Sequence, residues 1–192
     1  MPAVLCENRT KSALDHALRQ LLEQKSLAQI RVREVTELCM IRRQSFYYHF
    51  PDVHALFDWS LQQERAFLLE RQENYLTWQQ TLTDLLEHLA QHRSYYLALL
   101  QNKGRGGLRE LLSPVLNQLL SHTMEYYQRR CGMEQTSDQL TLDCLETLLL
   151  TLLEGWIQDE TQQPEQTLSV LDTMIRQGAV GAAWQNLPAQ SC

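Results

Sequence analysis

The chain reads as an all-α protein: a three-helix helix-turn-helix head followed by a larger helical body, about nine helices in total. Three observations carry that expectation. Leu and Gln are heavily used, while seven glycines and five prolines interrupt 192 residues, a composition rich in helix formers and poor in breakers. Apolar residues recur at three-and-four spacing through most of the chain. Between residues 32 and 50, two short segments of that kind are joined by a tight turn; neither is long enough to be stable alone, so a longer neighbour must hold them.

Thr10 is a natural N-cap for a first helix reaching about Gln24, with Ala13, Leu14, Ala17, Leu18, Leu21 and Leu22 as its apolar stripe. A turn over residues 25–29 leads to a short helix with Val32, Val35 and Leu38 inward. Residues 39–41 turn the chain into a third helix over 42–50. Asp52 then caps a fourth helix to about Asn74, with Leu56, Phe57, Leu61, Phe67 and Leu68 inward; at ~1.5 Å per residue it spans ~30 Å, enough to join head to body. The body follows as helices over 78–92 and 94–102, a glycine-rich break at 103–107 and a long segment to Arg130. Ser113–Pro114 inside that segment predicts a kink or a restart. Gly132 ends it, Ser137 or Asp138 opens the next helix, and Pro164 starts a last one to about Val180. The expected domains are 1–52 and 53–192.

The net charge of −6 looks wrong for a nucleic-acid binder until the chain is divided. Residues 1–52 carry eight Lys and Arg against six Asp and Glu, and residues 53–192 carry nine against seventeen. The basic part therefore surrounds an aromatic run near residue 47, and the acidic excess sits in the body. Cys6, Cys39, Cys131, Cys144 and Cys192 show no two-residue spacing, so reduced thiols are expected rather than a zinc knuckle or a disulfide framework. No apolar run approaches the ~20 residues of a membrane span, and no leader-like segment opens the chain. A cytoplasmic protein without membrane contact is the expectation. There is no nucleophile–base pair, phosphate loop or carboxylate dyad at motif spacing, which argues against an enzyme and implies no cofactor.

The most informative run is Met40–Ile41–Arg42–Arg43–Gln44–Ser45–Phe46–Tyr47–Tyr48–His49–Phe50. Phe46 and Phe50 belong to a core. Arg42, Arg43, Gln44, Ser45, Tyr47, Tyr48 and His49 are side chains that reach phosphates and base edges, and Arg31 and Arg33 stand at the start of the preceding helix. Together with Val32–Arg33–Glu34–Val35 and Leu56, this run resembles the head of TetR/AcrR-type transcriptional regulators. Residues 52–59, together with Gly155–Trp156–Ile157 and Pro164–Glu165, resemble a subgroup common in low-GC Gram-positive bacteria, the one that includes a dihydroxyacetone kinase operon activator. The resemblance implies a homodimer whose third helices read two half-sites of a palindromic double-stranded operator ~34 Å apart, with an effector or co-regulator protein acting on the body. It assigns Tyr47 to a phosphate, while Gln44, Ser45 and Tyr48 are the base-edge candidates and Arg43 reaches guanine or backbone. His49 is open between a phosphate and a packed ring.

The sequence departs from that family in four places. Met40 stands where the turn usually carries Gly, Arg31 and Arg42 where the two short helices usually carry Ser or Thr caps, and Val53 where the fourth helix usually opens on Lys. In the body, Trp78, Tyr95, Tyr96, Tyr126, Tyr127 and Trp156 supply either an aromatic-lined ligand site or ordinary core. The stripe of Leu145, Leu148, Leu149 and Leu152, with Leu171 and Ile175 on the last helix, fits a dimer face or an intramolecular core. His88 and His92 have chelating i, i+4 spacing, with Glu87, His122, Cys131 and Cys144 as possible neighbours, but without a clear third ligand no metal is expected. A different class remains open: a helical small-molecule-binding or adaptor protein with a vestigial head.

Overall fold

In a computed structural model, which describes residues 2–72, 78–131, 139–159 and 173, every regular element among the described residues is helical. The order is α1 Pro2–Leu22, a 3-10 turn Leu27–Gln29, α2 Val32–Leu38, α3 Arg43–His49, α4 Val53–Gln72, α5 Trp78–Gln91, α6 Arg93–Cys131 and α7 Gln139–Gln158. The helix expected over 164–180 lies outside the described residues. α1 begins eight residues earlier than its expected Thr10 cap, because Pro2 can occupy a first helical turn, where a missing N–H costs nothing. No helix among the described residues is long and apolar enough to cross a membrane.

Among the described residues one hydrophobic core runs from α1 to α7. Leu14, Leu18, Leu21 and Leu22 of α1 join Val35 of α2, Phe46 of α3 and Leu56 and Phe57 of α4. The core continues through Leu82, Leu86 and Leu89 of α5 to the α6–α7 pair. Two expected core residues face outward instead. Leu38 is half exposed, since Val35, Thr36 and Cys39 form the inward side at the end of α2. Phe67 is also largely exposed, since Leu61, Glu64 and Leu68 hold α4's inward line; its ring lies 5.3 Å from the His88 ring.

Helix α4 is therefore buried along a face with a carboxylate at its centre. Glu64 is 3% exposed and has a partner on each of three other helices. Arg19 of α1 donates to Oε2 at 2.8 Å, while His88 Nε2 of α5 and the Tyr96 hydroxyl of α6 meet Oε1 at 2.5 and 2.6 Å. Arg19 also contacts Ser60 Oγ at 3.3 Å, holds Asp15 at 3.0 Å and lies 4.1 Å from the centre of the Tyr95 ring. Ser60 and the Tyr95 hydroxyl are 2.8 Å apart. Burial pushes the Glu64 carboxyl upward, but the His88 hydrogen bond, the Arg19 charge and the Tyr96 hydroxyl together hold it down at about 2. It is a charged group, paired and hydrogen-bonded as burial demands.

The glycine-rich break is real and sits at Gly104, whose φ of 63° and ψ of −162° only glycine adopts readily. Pro114 does not restart the helix: α6 runs on through it. Pro114 is exposed, so water can serve the carbonyl that its missing N–H leaves unpaired. Beyond Gly104 the helix packs along α7, and Leu108, Leu112, Val115, Leu116 and Leu119 are buried. Arg105 and Glu154 bond at 2.8 Å, and Ser113 donates to the buried Glu146 at 2.5 Å.

Gly107, just past the break, has no room for a side chain: a Cβ there would overlap Lys103 Cβ and press on Leu99 Cδ1 at 3.1 Å. Gly107→Ala is expected to destabilise the fold by about 1–3 kcal/mol, the usual range for overpacking. A urea-unfolding midpoint equal to that of the parent protein would contradict this.

Candidate nucleic-acid interface

Two seven-residue helices make the site, and each is fixed by contacts outside itself. The N-terminus of α2 has Arg31 at the cap with no side-chain cap bond, since a guanidinium has no acceptor to offer. Glu34 compensates from inside the helix by accepting the Arg31 backbone N–H at 3.0 Å, and it pairs with Lys25 of the preceding turn. The Lys25 hydrogen bond, then that of the Arg31 amide, lowers its pKa. The Arg31 side chain is thereby left exposed. At the start of α3, Arg42 is extended and likewise makes no side-chain cap bond.

The turn between α2 and α3 is a Schellman closure: the Ile41 N–H reaches the Thr36 carbonyl at 2.9 Å and the Met40 N–H reaches Glu37 at 3.3 Å. This geometry places Met40 at φ 53°, the one non-glycine residue with positive φ among those described, and 95% exposed. The sequence departure noted at Met40 thus coincides with a left-handed backbone position normally given to glycine.

On α3, Phe46 is fully buried and Phe50 nearly so, the Phe50 ring lying 5.8 Å from that of Trp59 on α4. Burying those two turns everything else outward. Arg42, Arg43, Gln44, Tyr47 and Tyr48 are exposed, and Ser45 and His49 are half-buried. Since i and i+4 share a helix face, the outward side divides into a strip of Arg43 and Tyr47 and a strip of Gln44 and Tyr48. The first strip lines an open depression of about 400 Å³ together with Arg31 and Arg33 of α2 and Asp52, Val53 and His54 at the start of α4. Asp52 is occupied there, accepting the Ala55 N–H at 2.8 Å as the expected cap. Arg33 bonds Glu37 at 2.6 Å, and this exposed pair raises its pKa. His49 packs its ring 5.0 Å from Tyr48, and its buried Nδ1 lacks a hydrogen-bond partner among the described residues.

Three guanidiniums, a phenol and an imidazole around one shallow depression suit an extended anion such as a phosphodiester chain. The adjoining strip of amide and phenol suits base edges. Sequence reasoning missed His54, which lines the depression beside Val53, where the familiar Lys is absent. It also missed the Glu34 half of a capping box, although Arg31-x-x-Glu34 has the spacing that signals one.

The body candidates are more dispersed. Tyr95, Tyr96 and Trp156 are buried, with the Tyr95 and Tyr96 hydroxyls engaged by Ser60 and Glu64. The side chains of Trp78, Tyr126 and Tyr127 lie outside the described residues, as do Leu171 and Ile175. Leu145 and Leu149 are buried within the subunit, whereas Leu148 is exposed and Leu152 half-buried. His88 is a buried residue whose Nε2 is taken by Glu64, not a surface chelator. Burial, with the neighbouring His88, lowers the pKa of His92, whose ring is 4.6 Å from that of His88. Glu87, His122 and Cys144 are exposed, and among the described residues no three His, Cys, Asp or Glu side chains converge on a possible metal position. The side chain of Cys131 lies outside the described residues.

Residues 76–177 match the family described as the transcriptional regulator C-terminal region of TetR type. A relative from Lactococcus lactis subsp. lactis (strain IL1403), the HTH-type dhaKLM operon transcriptional activator DhaS, is 29% identical over 87 residues. That match covers 45% of this chain and 46% of the relative, so it spans about half the relative's length. The solved structure of a dihydroxyacetone kinase operon activator DhaS superposes with a TM-score of 0.70 at 17% identity, covering 91% of this chain and 97% of that one. Ligand-free RolR gives 0.59 at 20% identity over 94% of this chain and 100% of its own; RolR is also known as a complex with the ligand resorcinol. At these identities the structural likenesses speak for the fold.

The left-handed position at residue 40 yields a direct prediction. Met40→Gly relieves a backbone cost of about 1 kcal/mol and should raise the urea midpoint accordingly. A lower midpoint than that of the parent chain would contradict the Schellman assignment.

Proposed function

The chain belongs to the TetR-type transcriptional regulators that share this C-terminal region, and on that premise we propose that it is a homodimeric, sequence-specific DNA-binding regulator whose α3 enters the major groove of a palindromic operator. Residues 1–52 act as the reading head and residues 53–192 as the regulatory and dimerisation body. The observation that carries the reading is the division of α3's outward side. Arg43 and Tyr47 share the depression with Arg31, Arg33 and His54 and take the phosphate backbone, while Gln44, Ser45 and Tyr48 meet base edges. Arg42, at the uncapped start of α3, adds a further cation beside them. His49, packed against Tyr48, supports the recognition helix from its flank.

Dimerisation uses the outer side of α7, with Leu148 and Leu152 facing the partner, together with Leu171 and Ile175. A small-molecule effector or a co-regulator protein acts on the body, where Trp78, Tyr95, Tyr96, Tyr126, Tyr127 and Trp156 are the aromatic candidates for its site. A role without catalysis is in keeping with relatives that are transcriptional regulators.

Fluorescence anisotropy on a duplex from upstream of the protein's own gene tests the reading. Binding should saturate and weaken steeply with salt. Arg43→Ala should weaken binding to all sequences alike and reduce the salt slope by about one, whereas Gln44→Ala should cost about 1–3 kcal/mol on the cognate site and relax its sequence preference. Salt-insensitive binding, or two variants indistinguishable from the parent, would overturn the assignment.

A further inference from the structure

Glu64 divides its two oxygens between the two parts of the molecule. Oε2 takes Arg19 of α1, the helix that buttresses α2 and packs on α4. Oε1 takes His88 of α5 and Tyr96 of α6, both in the body. The His88 and Tyr96 bonds are buried, so water cannot replace either partner if it moves away. A carboxylate in this position that loses its body partners is no longer held in one place, and the Arg19 bond alone cannot fix the register of α1 on α4.

We propose that Glu64 is the coupling element through which the packing of α5 and α6 sets the position of α1, and with it the α2–α3 reader. The coupling does not require DNA; its regulatory meaning rests on the DNA-binding reading above. An effector that displaces α5 or α6 changes the Oε1 side, and the shared carboxylate passes the change to Arg19. The two oxygens act as one because they belong to one rigid planar group. Tyr96 and His88 are thus positioning residues for a reader they do not touch.

The test uses the full chain. Tyr96→Phe removes one hydroxyl bond and keeps the ring; His88→Leu withdraws the other Oε1 partner from a different helix. Ser113→Ala is the control, removing a comparable hydroxyl–carboxylate bond, to Glu146, between α6 and α7. Backbone amide exchange without DNA and operator affinity at fixed salt are measured for all three. Both Tyr96→Phe and His88→Leu should raise exchange at least fivefold in the second half of α1 and in α2–α3. Both should also weaken operator binding three- to tenfold, because DNA must then order a looser head. Ser113→Ala should do neither. Exchange that rises in α4–α6 alone, with α1–α3 as in the parent, overturns the coupling, as does a Ser113→Ala effect of equal size on the head. Should the head loosen as expected while the parent protein shows no saturable binding to DNA, the coupling stands and the DNA-binding reading falls.

Discussion

A carboxylate enclosed by four helices stays charged only if its surroundings replace the water it has lost, and those surroundings must then stay in register with it. Glu64 meets that condition through a guanidinium, an imidazole and a phenol drawn from α1, α5 and α6. Hydrophobic burial of Leu14, Leu18, Leu56, Phe57 and Leu86 holds the same helices together, but tolerates small slips. The hydrogen bonds to Glu64 do not, because each has a narrow range of length and angle. The core supplies cohesion; the carboxylate specifies the arrangement. Arg19 answers the same demand from the other side: burial lowers its pKa, but Asp15 and Glu64 outweigh this and raise it.

The head obeys a second constraint, set by its short helices. Seven residues cannot be stable alone, so α2 and α3 depend on Phe46, Phe50 and Val35 being buried and on closures at their ends. With no hydroxyl or carboxylate side chain at either cap position, the protein turns to Glu34 at the start of α2 and leaves the arginines free for solvent. That exchange leaves Arg31 to join Arg33 and Arg43 on one depression, in a head with a formal charge of only about two units.

Much of this was legible in the chain itself, and what was not has physical reasons. The buried Phe46 and Phe50, the outward set on α3, the Asp52 cap and the break near Gly104 depend on neighbours within a turn or two, so local pattern suffices. Nothing in the local pattern singles out Glu64, although Leu61, Glu64 and Leu68 share one stripe; its partners lie at sequence separations of 24 to 45. Tertiary context likewise moved Leu38 and Phe67 outward and carried α6 through Pro114. The leucines of α7 follow a single periodicity, yet Leu145 and Leu149 are buried within the subunit while Leu148 is not. Only the position of α6 decides between those fates.

If an ionised Glu64 holds the helices together, stability must depend on pH through its carboxyl. Its folded pKa of about 2 lies below the ordinary glutamate value, so its contribution is fully present above about pH 5 and is lost as pH falls toward 2. Urea unfolding of the parent and of Glu64→Gln across pH 6 to 2.5 isolates that contribution. The parent should be more stable by a few kcal/mol near pH 6, and that advantage should shrink progressively through the acid range. A difference between the two proteins that does not change with pH would contradict it.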